Sequence, residues 1–385
     1  MRILSICGAL AAGEFAASYL PTYAEAWPFA AIVLALTVLF GYGLGVRGWA
    51  CLAVFLLGVT LYLFASVGSE RLYRDKPWMR GRPRYERQGA ETSGRGLAAV
   101  KAELSRRAGL GLGHDPEAAA LNRAILLGER SRLPRRMRRA FIDSGAMHVF
   151  AISGLHVMTI AGELVFLLAA AFMPRRLSGA VAIPILWGYV VLIGASPSAV
   201  RAALMATFCY LAPILWQRPN LLRAWALTFL AIHLVRPLQI TDVGSALSFT
   251  VMLAIALAAE GGRFSGAWIT VIAWAAGVPI GAHVFGRVTP GGILANLVLI
   301  TAAECTVMAG AAGIAVSFVS ETAAAHFNNL SALCTKGMVC IAELVSRLPG
   351  ANFEVPRWTI LQCAEWYALI ALAFILVRSI RSRRF

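Results

Sequence analysis

Residues 147–158, MHVFAISGLHVM, contain the side chains most able to do chemistry in this chain. His148 and His156 flank a Ser153-Gly154 pair inside a longer apolar stretch. At about 1.5 Å per helical residue, that stretch is long enough to cross a bilayer. Because polar groups at membrane depth are costly, a helix that keeps His, Ser and Gly there is expected to use them.

Ser153 also admits an enzymatic interpretation. A Ser before Gly, with His156 or His283 in reach, resembles intramembrane serine proteases, in which a His on another helix activates a helix-borne Ser. The sequence A-I-S-G is a degenerate match, and no third orienting group is evident. We therefore expect that the protein is not an enzyme and that these residues serve transport.

Several polar side chains lie within the later apolar stretches, and Arg201 is the strongest case. In SPSAVRAALMA, Pro197 marks a helix start that places Arg201 one turn into the helix. Arg201 could neutralise a phosphate, or pair with Asp242 or Glu304. Charges facing lipid are expensive, which favours a polar, water-accessible interior over snorkelling helix-end residues. The set is His156, Glu163, Arg201, Asp242, His283, Asn296 and Glu304.

The composition indicates a chain that lies mostly in lipid. Hydrophobic residues make up 59% and charged residues only 14% of the sequence, whereas soluble proteins carry about 25% charged residues. The seven cysteines form no C-x-x-C pair and lie mostly in apolar blocks. We expect no metal, no cofactor and no disulfide framework.

Apolar blocks recur along the chain and predict an all-α membrane protein. The expected architecture is a polytopic bundle of about 10 or 11 transmembrane helices with amphipathic helices at the interface, among them residues 322–357. The first block lacks a convincing cleavage site and is expected to be a retained span. The predicted spans are about 3–20, 28–46, 49–67, 146–173, 178–195, 197–216, 222–235, 238–259, 266–285, one or two within 291–319, and 360–378.

The same pattern divides the chain into four parts. Residues 1–67 are predicted as N-terminal transmembrane helices and 68–115 as a short basic extramembrane segment. Residues 116–357 form the predicted membrane core, and 358–385 the last transmembrane helix with a basic tail. Three further helices are predicted around the boundary at residue 116, over LAAVKAELSRRAGL, over DPEAAALNRAILLGE with Asp115 as N-cap, and over PRRMRRAFIDSG.

Charge in the short loops predicts the orientation. With the N-terminus in the cytoplasm, the loops at Arg47, Arg175-Arg176, 218–223 and Arg263 are all cytoplasmic. Residues 68–145 then lie outside, although they carry 18 Lys and Arg against 9 Asp and Glu. Segments of that length lie beyond the reach of the positive-inside rule. We expect a multi-pass protein of the bacterial cytoplasmic (inner) membrane.

Aromatic residues interleave with cations in the basic segment. Arginines grip phosphates while aromatic faces stack bases, so this composition suits single-stranded nucleic acid. The alternative is a juxtamembrane basic stretch with interfacial aromatics. The candidate nucleic-acid-binding residues are Arg74, Lys76, Trp78, Arg80, Arg82, Arg84 and Tyr85.

Several ordered motifs resemble one family. GAMHVFAISGLHVMTIAG is similar to the signature of the ComEC family, the inner-membrane channel proteins of bacterial competence. AILLGERSRLPRRMRRAF precedes the signature. ASPSAVRAALMA, RPNLLRAWAL, TDVGSALSF, HVFGRVTPGGILANL and SRLPGANFEV follow it in order, so that the resemblance covers about residues 116–355.

The resemblance implies passage of single-stranded DNA across the cytoplasmic membrane during transformation. It carries over, by position, Gly128, His148, Ser153, Gly154, His156, Pro197, Arg201, Asp242, Ser248, Gly286 and Asn296. The expected transport-path or structural residues are His148, Ser153, Gly154, His156, Arg201, Asp242, His283 and Asn296.

The chain also departs from the family pattern. About 25 residues, 68–93, stand where family members usually carry an OB-type domain, and no metallo-β-lactamase-like domain is evident. No G-x-x-x-x-G-K-[ST] loop is present. The expected partners are single-stranded DNA, the lipid bilayer, and a separate nuclease, DNA receptor and cytosolic ATPase. The rival interpretations are a transporter of another small anionic or lipid-linked substrate, and a non-transporting scaffold.

Overall fold

The computed structural model describes residues 95–129, 135–146, 154–260 and 266–382. Within these ranges the chain is almost entirely helical. Its elements are α1 (Arg95–Arg107), α2 (Pro116–Leu127), α3 (Arg135–Asp143), α4 (Gly154–Ala170), α5 (Arg175–Leu192), α6 (Pro197–Ile214), α7 (Leu221–Val235), a 3₁₀ turn (Pro237–Thr241), α8 (Val243–Glu260), α9 (Gly266–Phe285), β1 (Arg287–Val288), α10 (Gly291–Val316), α11 (Glu321–Ser346), β2 (Phe353–Glu354) and α12 (Ile360–Ser382).

The protein is an all-α membrane protein. Among the described residues, four helices are long and apolar enough to span a bilayer: α5, α6, residues 268–285 of α9, and α10. Shorter apolar helices cover residues 156–170, 221–235, 243–259 and 360–370. The predicted spans 3–20, 28–46 and 49–67 lie outside the described residues, so the predicted total of 10 or 11 spans stays a prediction.

Contacts divide the chain into two compact units. The described part of the first unit is residues 220–249. On α7, Trp225, Phe229 and His233 recur every four residues and stack on one another, and Phe249 meets them from the start of α8. The Trp225 indole N–H donates to the Phe249 carbonyl over 2.9 Å. The sequence predicted this segment only as a transmembrane span. In the structure its row of aromatic side chains holds α7 against the first half of α8.

In the second unit, α4, α5 and α6 pack together as a bundle of three helices. Helices α5 and α6 are antiparallel. The Trp187 indole N–H donates to Thr207 Oγ1 over 3.1 Å, and Gly179 lies against the backbone of Tyr210. The Gly179 position has no room for a methyl group, because its carbon would lie 2.9 Å from the Tyr210 carbonyl oxygen.

Helices α10 and α11 form a long antiparallel hairpin, and α2 packs across both. A single helix therefore occupies the interval 291–319, for which one or two spans were predicted. The amphipathic pattern within 322–357 corresponds to α11 and β2. The buried face of α11 carries Asn328, Ser331 and Thr335 as well as Ala and Met, which accounts for its weak hydrophobic signal.

Polar groups on three helices meet in this part of the unit. The Asn122 Oδ1 of α2 accepts from Ser331 Oγ at 3.0 Å and Thr335 Oγ1 at 3.3 Å, while its Nδ2 donates to the Asn328 carbonyl at 3.3 Å. Ser331 Oγ also lies 2.9 Å from the Thr306 carbonyl of α10. All of these side chains are buried. Their mutual hydrogen bonds satisfy groups that would otherwise be costly to bury.

Charged pairs fasten α1 and the start of α2 to the hairpin. Glu103 accepts from Arg106 and Arg107, and these hydrogen bonds, the one from Arg106 foremost, lower the pKa of Glu103 to about 2. Arg106 also pairs with Glu321 at the start of α11. Asp115 pairs with Lys336 of α11, which holds the pKa of Asp115 below its usual value.

Helix α12 repairs a break in the hydrogen bonding of α9. Pro279 has no N–H, so the Ala275 carbonyl four residues earlier lacks its helical partner. The Trp366 indole N–H donates to that carbonyl over 3.0 Å, and the Tyr367 hydroxyl donates to Ala276 O over 3.0 Å. The proline thereby frees one acceptor, the Ala275 carbonyl, and both hydrogen bonds hold α12 alongside α9.

Candidate functional site

The structure describes part of the predicted site. His148 and Ser153 lie outside the described residues, as do all seven candidate nucleic-acid-binding residues, from Arg74 to Tyr85. Their predicted roles stay predictions. The residues whose positions can be given are Gly154, His156, Arg201, Asp242, His283 and Asn296.

The N-terminal turns of α4 and α6 adjoin. A methyl carbon on Gly154 would lie 3.3 Å from Ala202 Cβ, so small residues at both positions let the two helices approach closely. His156 follows Gly154 by two residues, and Arg201 directly precedes Ala202. His156 is only 1% exposed and Arg201 only 5%. The helix signature and the arginine motif, some 45 residues apart in sequence, therefore belong to neighbouring helix turns.

Local sequence explains why Arg201 is at this level of α6. The Ser196 side chain caps the helix by accepting from the Ala199 N–H, and Pro197 occupies the first helical position, where its missing N–H costs nothing. Arg201 then falls one turn in, as predicted. The start of α6 could be predicted because the residues that cap a helix lie within a few positions of its first turn.

Small apolar side chains of α4 and α6 pack together next to these two positions in the sequence. Val157 and Ala161 of α4 pack against Ala199, Ala203 and Ala206 of α6, and all five are completely buried. A guanidinium in such surroundings is screened much less than one in water. Arg201 therefore places a guanidinium among the buried residues of this bundle.

Three other motif segments converge at the start of α10. Arg287 of β1 pairs with Glu354 of β2 at 2.9 Å and with Asp143 at the end of α3 at 3.9 Å. The two short strands are antiparallel, with Arg287 opposite Glu354 and Val288 opposite Phe353. The ribbon and the ion pairs bring HVFGRVTPGG, FIDSG and PGANFEV together into one junction.

Glycines make this junction possible. Gly145 has a φ of +75°, and a methyl carbon there would lie 2.8 Å from Thr289 Oγ1. At Gly291 a methyl carbon would lie 2.8 Å from Ala351 Cβ and 3.0 Å from its Cα, and the Gly291 N–H donates to the Ala351 carbonyl over 3.0 Å. The glycines of these motifs thus serve close backbone approach.

His283 and Asn296 lie on the two helices that flank this ribbon. His283, near the end of α9, is exposed, and its Nδ1 lies 2.6 Å from the Trp358 carbonyl. Because a carbonyl only accepts, Nδ1 carries the proton. Asn296 is one turn into α10, and its Oδ1 is shielded from solvent without a hydrogen-bond partner among the described residues.

Asp242 requires a correction to the predicted span. The sequence placed it inside a span over 238–259, but α8 begins only at Val243. Asp242 is exposed and accepts from the Ser245 N–H over 2.7 Å, which makes it the N-cap of α8. The preceding 3₁₀ turn, Pro237–Thr241, takes up the residues that the apolar pattern had assigned to the helix.

Sequence reasoning missed the charged triad of the junction. Arg287 lies inside a motif that was noticed, but Asp143 and Glu354 stand far from it in sequence, and nothing in one sequence pairs them. No group of three His, Cys, Asp or Glu side chains spaced as metal ligands occurs within the described ranges.

The fold and these motif segments define a polytopic α-helical membrane protein built around a helix signature and a buried arginine. The chain belongs to the Competence protein family, whose model matches residues 125–379. That range runs from α2 into α12 and includes the α4–α6 bundle, the junction and the α10–α11 hairpin. The resemblance stated from the motifs is confirmed.

Two relatives illustrate the similarity. Competence protein ComA of Neisseria gonorrhoeae is 32% identical over 202 residues, which are 48% of this chain and 28% of that protein. ComE operon protein 3 of Bacillus subtilis (strain 168) is 28% identical over 145 residues, which are 38% of this chain and 19% of that protein. The matched region thus spans less than a third of either relative. No solved structure matches the chain.

Proposed function

We propose that this protein is an inner-membrane channel that passes single-stranded DNA into the cytosol during natural transformation. Membership of the Competence protein family and the two competence relatives support a role in DNA uptake. The observation that carries the finer proposal is Arg201, a buried cation on the helix that adjoins the signature helix α4.

The proposed chemistry is electrostatic and breaks no bond. A DNA strand carries one negative charge per nucleotide and loses its hydration on entering an apolar bundle. A fixed guanidinium replaces part of that hydration and grips phosphate oxygens in a bidentate manner. In this proposal Ser153 and His156 line the path, and Asn296 and His283 contribute further polar groups.

The basic segment would act at the mouth of the path. Arginines and lysine between residues 74 and 84, with Trp78 and Tyr85, would hold the incoming strand by phosphate contacts and base stacking. Binding there should weaken with salt, because each neutralised phosphate releases counterions. The driving force would come from a cytosolic ATPase or the proton gradient, and strand degradation and DNA capture from a separate nuclease and DNA receptor.

The orientation belongs to the same proposal. We place the N-terminus in the cytoplasm, since the short loops at Arg175-Arg176 and around Arg218 then face inward. The basic segment faces the outer side of the membrane, where incoming DNA arrives.

Transformation of the native host tests the proposal. Cells lacking the gene should bind fluorescent DNA but fail to bring it into the cytosol. Complementation with Arg201→Ala should lower transformant yield by about 10- to 100-fold, the loss expected when one charged hydrogen-bonding partner is removed. Arg201→Lys should restore part of the yield because it keeps the charge. Arg139→Ala, which removes an exposed arginine of α3, is the matched control and should leave the yield unchanged.

The amount of each variant in the membrane must be measured by immunoblot, so that loss of protein is separated from loss of transport. If deletion of the gene leaves DNA uptake intact while another anionic or lipid-linked solute accumulates outside, the transporter interpretation replaces the DNA channel. If deletion abolishes uptake but Arg201→Ala at normal abundance transports DNA normally, Arg201 is not part of the path.

A further inference from the structure

Helices α4 and α6 end in the same unusual way. In each, the second residue after the helix is aromatic and has a left-handed backbone, Phe172 with a φ of 58° and Trp216 with a φ of 59°. The next N–H closes the turn by donating to a carbonyl five residues back, from Met173 to Leu168 and from Gln217 to Ala212. The two aromatic side chains are 94% and 80% exposed.

Glycine is the ordinary residue for such a turn, because it adopts positive φ without steric cost. The opposite end of the same bundle follows that rule. Helix α5 ends with Gly194 at a φ of 88° and then Ala195 at 47°, neither of which has a large side chain. At the ends of α4 and α6, two bulky side chains are kept in a conformation that disfavours them, although they gain little burial within the chain.

Cations surround the two aromatics. Arg175 and Arg176 at the start of α5 and Arg218 after α6 are exposed. The Arg176 guanidinium lies 3.0 Å over the Trp216 ring, so the two turns lie side by side. Neither 171–178 nor 214–219 contains an Asp or Glu. Leu177 and Leu215 are also more than half exposed beside the cations.

We propose that this surface, defined by Phe172, Arg175, Arg176, Trp216 and Arg218, binds the headgroups of anionic phospholipids. Helices α5 and α6 are candidate spans, so their ends lie at a membrane surface. Aromatic rings favour the boundary between headgroups and acyl chains, and arginines bind lipid phosphates. The phosphates of a nucleic acid could pair with the arginines, but the exposed leucines and Phe172 would stay in water. The apolar residues therefore favour a lipid over a nucleic acid as the ligand of this surface.

The full-length chain in nanodiscs tests this surface through the fluorescence of Trp216. The discs contain phosphatidylcholine with a varied fraction of either brominated phosphatidylglycerol or brominated phosphatidylcholine, both of which quench tryptophan on contact. The difference between the wild type and Trp216→Phe isolates the Trp216 signal from the other tryptophans. The test variant is R175Q/R176Q/R218Q. The matched control is R139Q/R347Q/R357Q, which removes three exposed arginines elsewhere.

We expect phosphatidylglycerol to quench Trp216 at a much lower mole fraction than phosphatidylcholine does. Each arginine removed should raise the required fraction by roughly fivefold, and the control variant should behave as the wild type. Equal quenching by the two lipids in the wild type would overturn the proposal, whatever the variants do. It would also fail if a single-stranded oligonucleotide, but not phosphatidylglycerol in excess, relieved quenching by a soluble quencher. Neither result depends on whether the protein transports DNA.

Discussion

Two helix groups of the same unit differ in what they bury. The core of the α4–α6 bundle is aliphatic and mostly alanine and valine, and the ionisable residues His156 and Arg201 of α4 and α6 are also buried. Where α2 crosses the α10–α11 hairpin, the buried polar groups are uncharged. The hydroxyls of Ser331 and Thr335 both donate to the amide oxygen of Asn122 there.

The difference separates a structural role from a functional one. Neutral amides and hydroxyls that satisfy each other fix the register of three helices at small electrostatic cost. A buried guanidinium costs far more to desolvate and does not improve the packing of alanines. The α2–α10–α11 network is accordingly the frame of the unit, whereas Arg201 is the residue for which we propose a transport role. Stability and transport should therefore respond to different substitutions.

The largest stability effect is expected at Asn122. Asn122→Ala removes three hydrogen bonds and leaves a small cavity, so the free energy of unfolding should fall by about 2–3 kcal/mol. The measurement is SDS-induced unfolding of the purified protein in mixed micelles. Asn329→Ala, an exposed asparagine on α11, is the control and should change little. If both variants unfold alike, the network is not the frame of the unit.

The α4–α6 bundle should be sensitive to size where the network is sensitive to polarity. Gly179→Ala places a methyl carbon 2.9 Å from the Tyr210 carbonyl oxygen. The clashing atom belongs to the backbone and cannot move away by a change of rotamer. The expected loss in the free energy of unfolding is therefore about 1–3 kcal/mol. Gly188 lies on the same helix with nothing within 4 Å of its methyl position. Gly188→Ala should therefore be neutral or stabilise by up to about 1 kcal/mol.

The same SDS titration measures both glycine variants. A loss of stability in Gly188→Ala as large as that in Gly179→Ala would show that the bundle resists any added methyl group. Contact between α5 and α6 at Gly179 would then not be the cause. Far-ultraviolet circular dichroism of each variant checks that helix content is unchanged before unfolding.

The sequence predicted those features that depend on near neighbours along the chain. Asp115 and Pro116 mark the start of α2, and the Asp115 side chain indeed accepts from the Ala118 N–H over 2.9 Å. Gly128 ends the helix in a left-handed conformation. The starts of α6 and α9 were also predicted within a residue, since caps and apolar periodicity act over a single helix.

Features that join distant segments could not be predicted. Asn122 and Ser331 are 209 residues apart, and Arg287 and Glu354 are 67 apart. The sequence of an amphipathic helix does not show which residue its polar side chains will hydrogen bond to. We therefore expected α11 at the membrane interface and did not predict that it packs along α10. Pro279 was noticed as an interruption of a span, but the Trp366 that uses its freed carbonyl acceptor lies on another helix.

The smallest effects are expected at Asp115, where capping and ion pairing can be separated. Asp115→Asn keeps a capping side chain but loses the charge, and at about pH 7 it should cost between zero and about 1 kcal/mol, as partly exposed ion pairs do. Asp115→Ala should cost about 1 kcal/mol more, because the cap on α2 is lost as well. Lys336→Gln should reproduce Asp115→Asn, since it removes the same ion pair from the other side.

The pH dependence gives the sign of this contribution. Lys336 foremost, and the Ala118 N–H, hold the pKa of Asp115 below its ordinary value of 3.8. A carboxylate with a lowered pKa in the folded state stabilises the fold above the unfolded pKa and loses that contribution as the pH falls through the folded one. The difference in unfolding free energy between the wild type and Asp115→Asn should therefore be constant above about pH 5 and shrink below about pH 4. A difference that persisted unchanged well below that range would mean that the charge of Asp115, and with it the ion pair to Lys336, is not the source of the stabilisation.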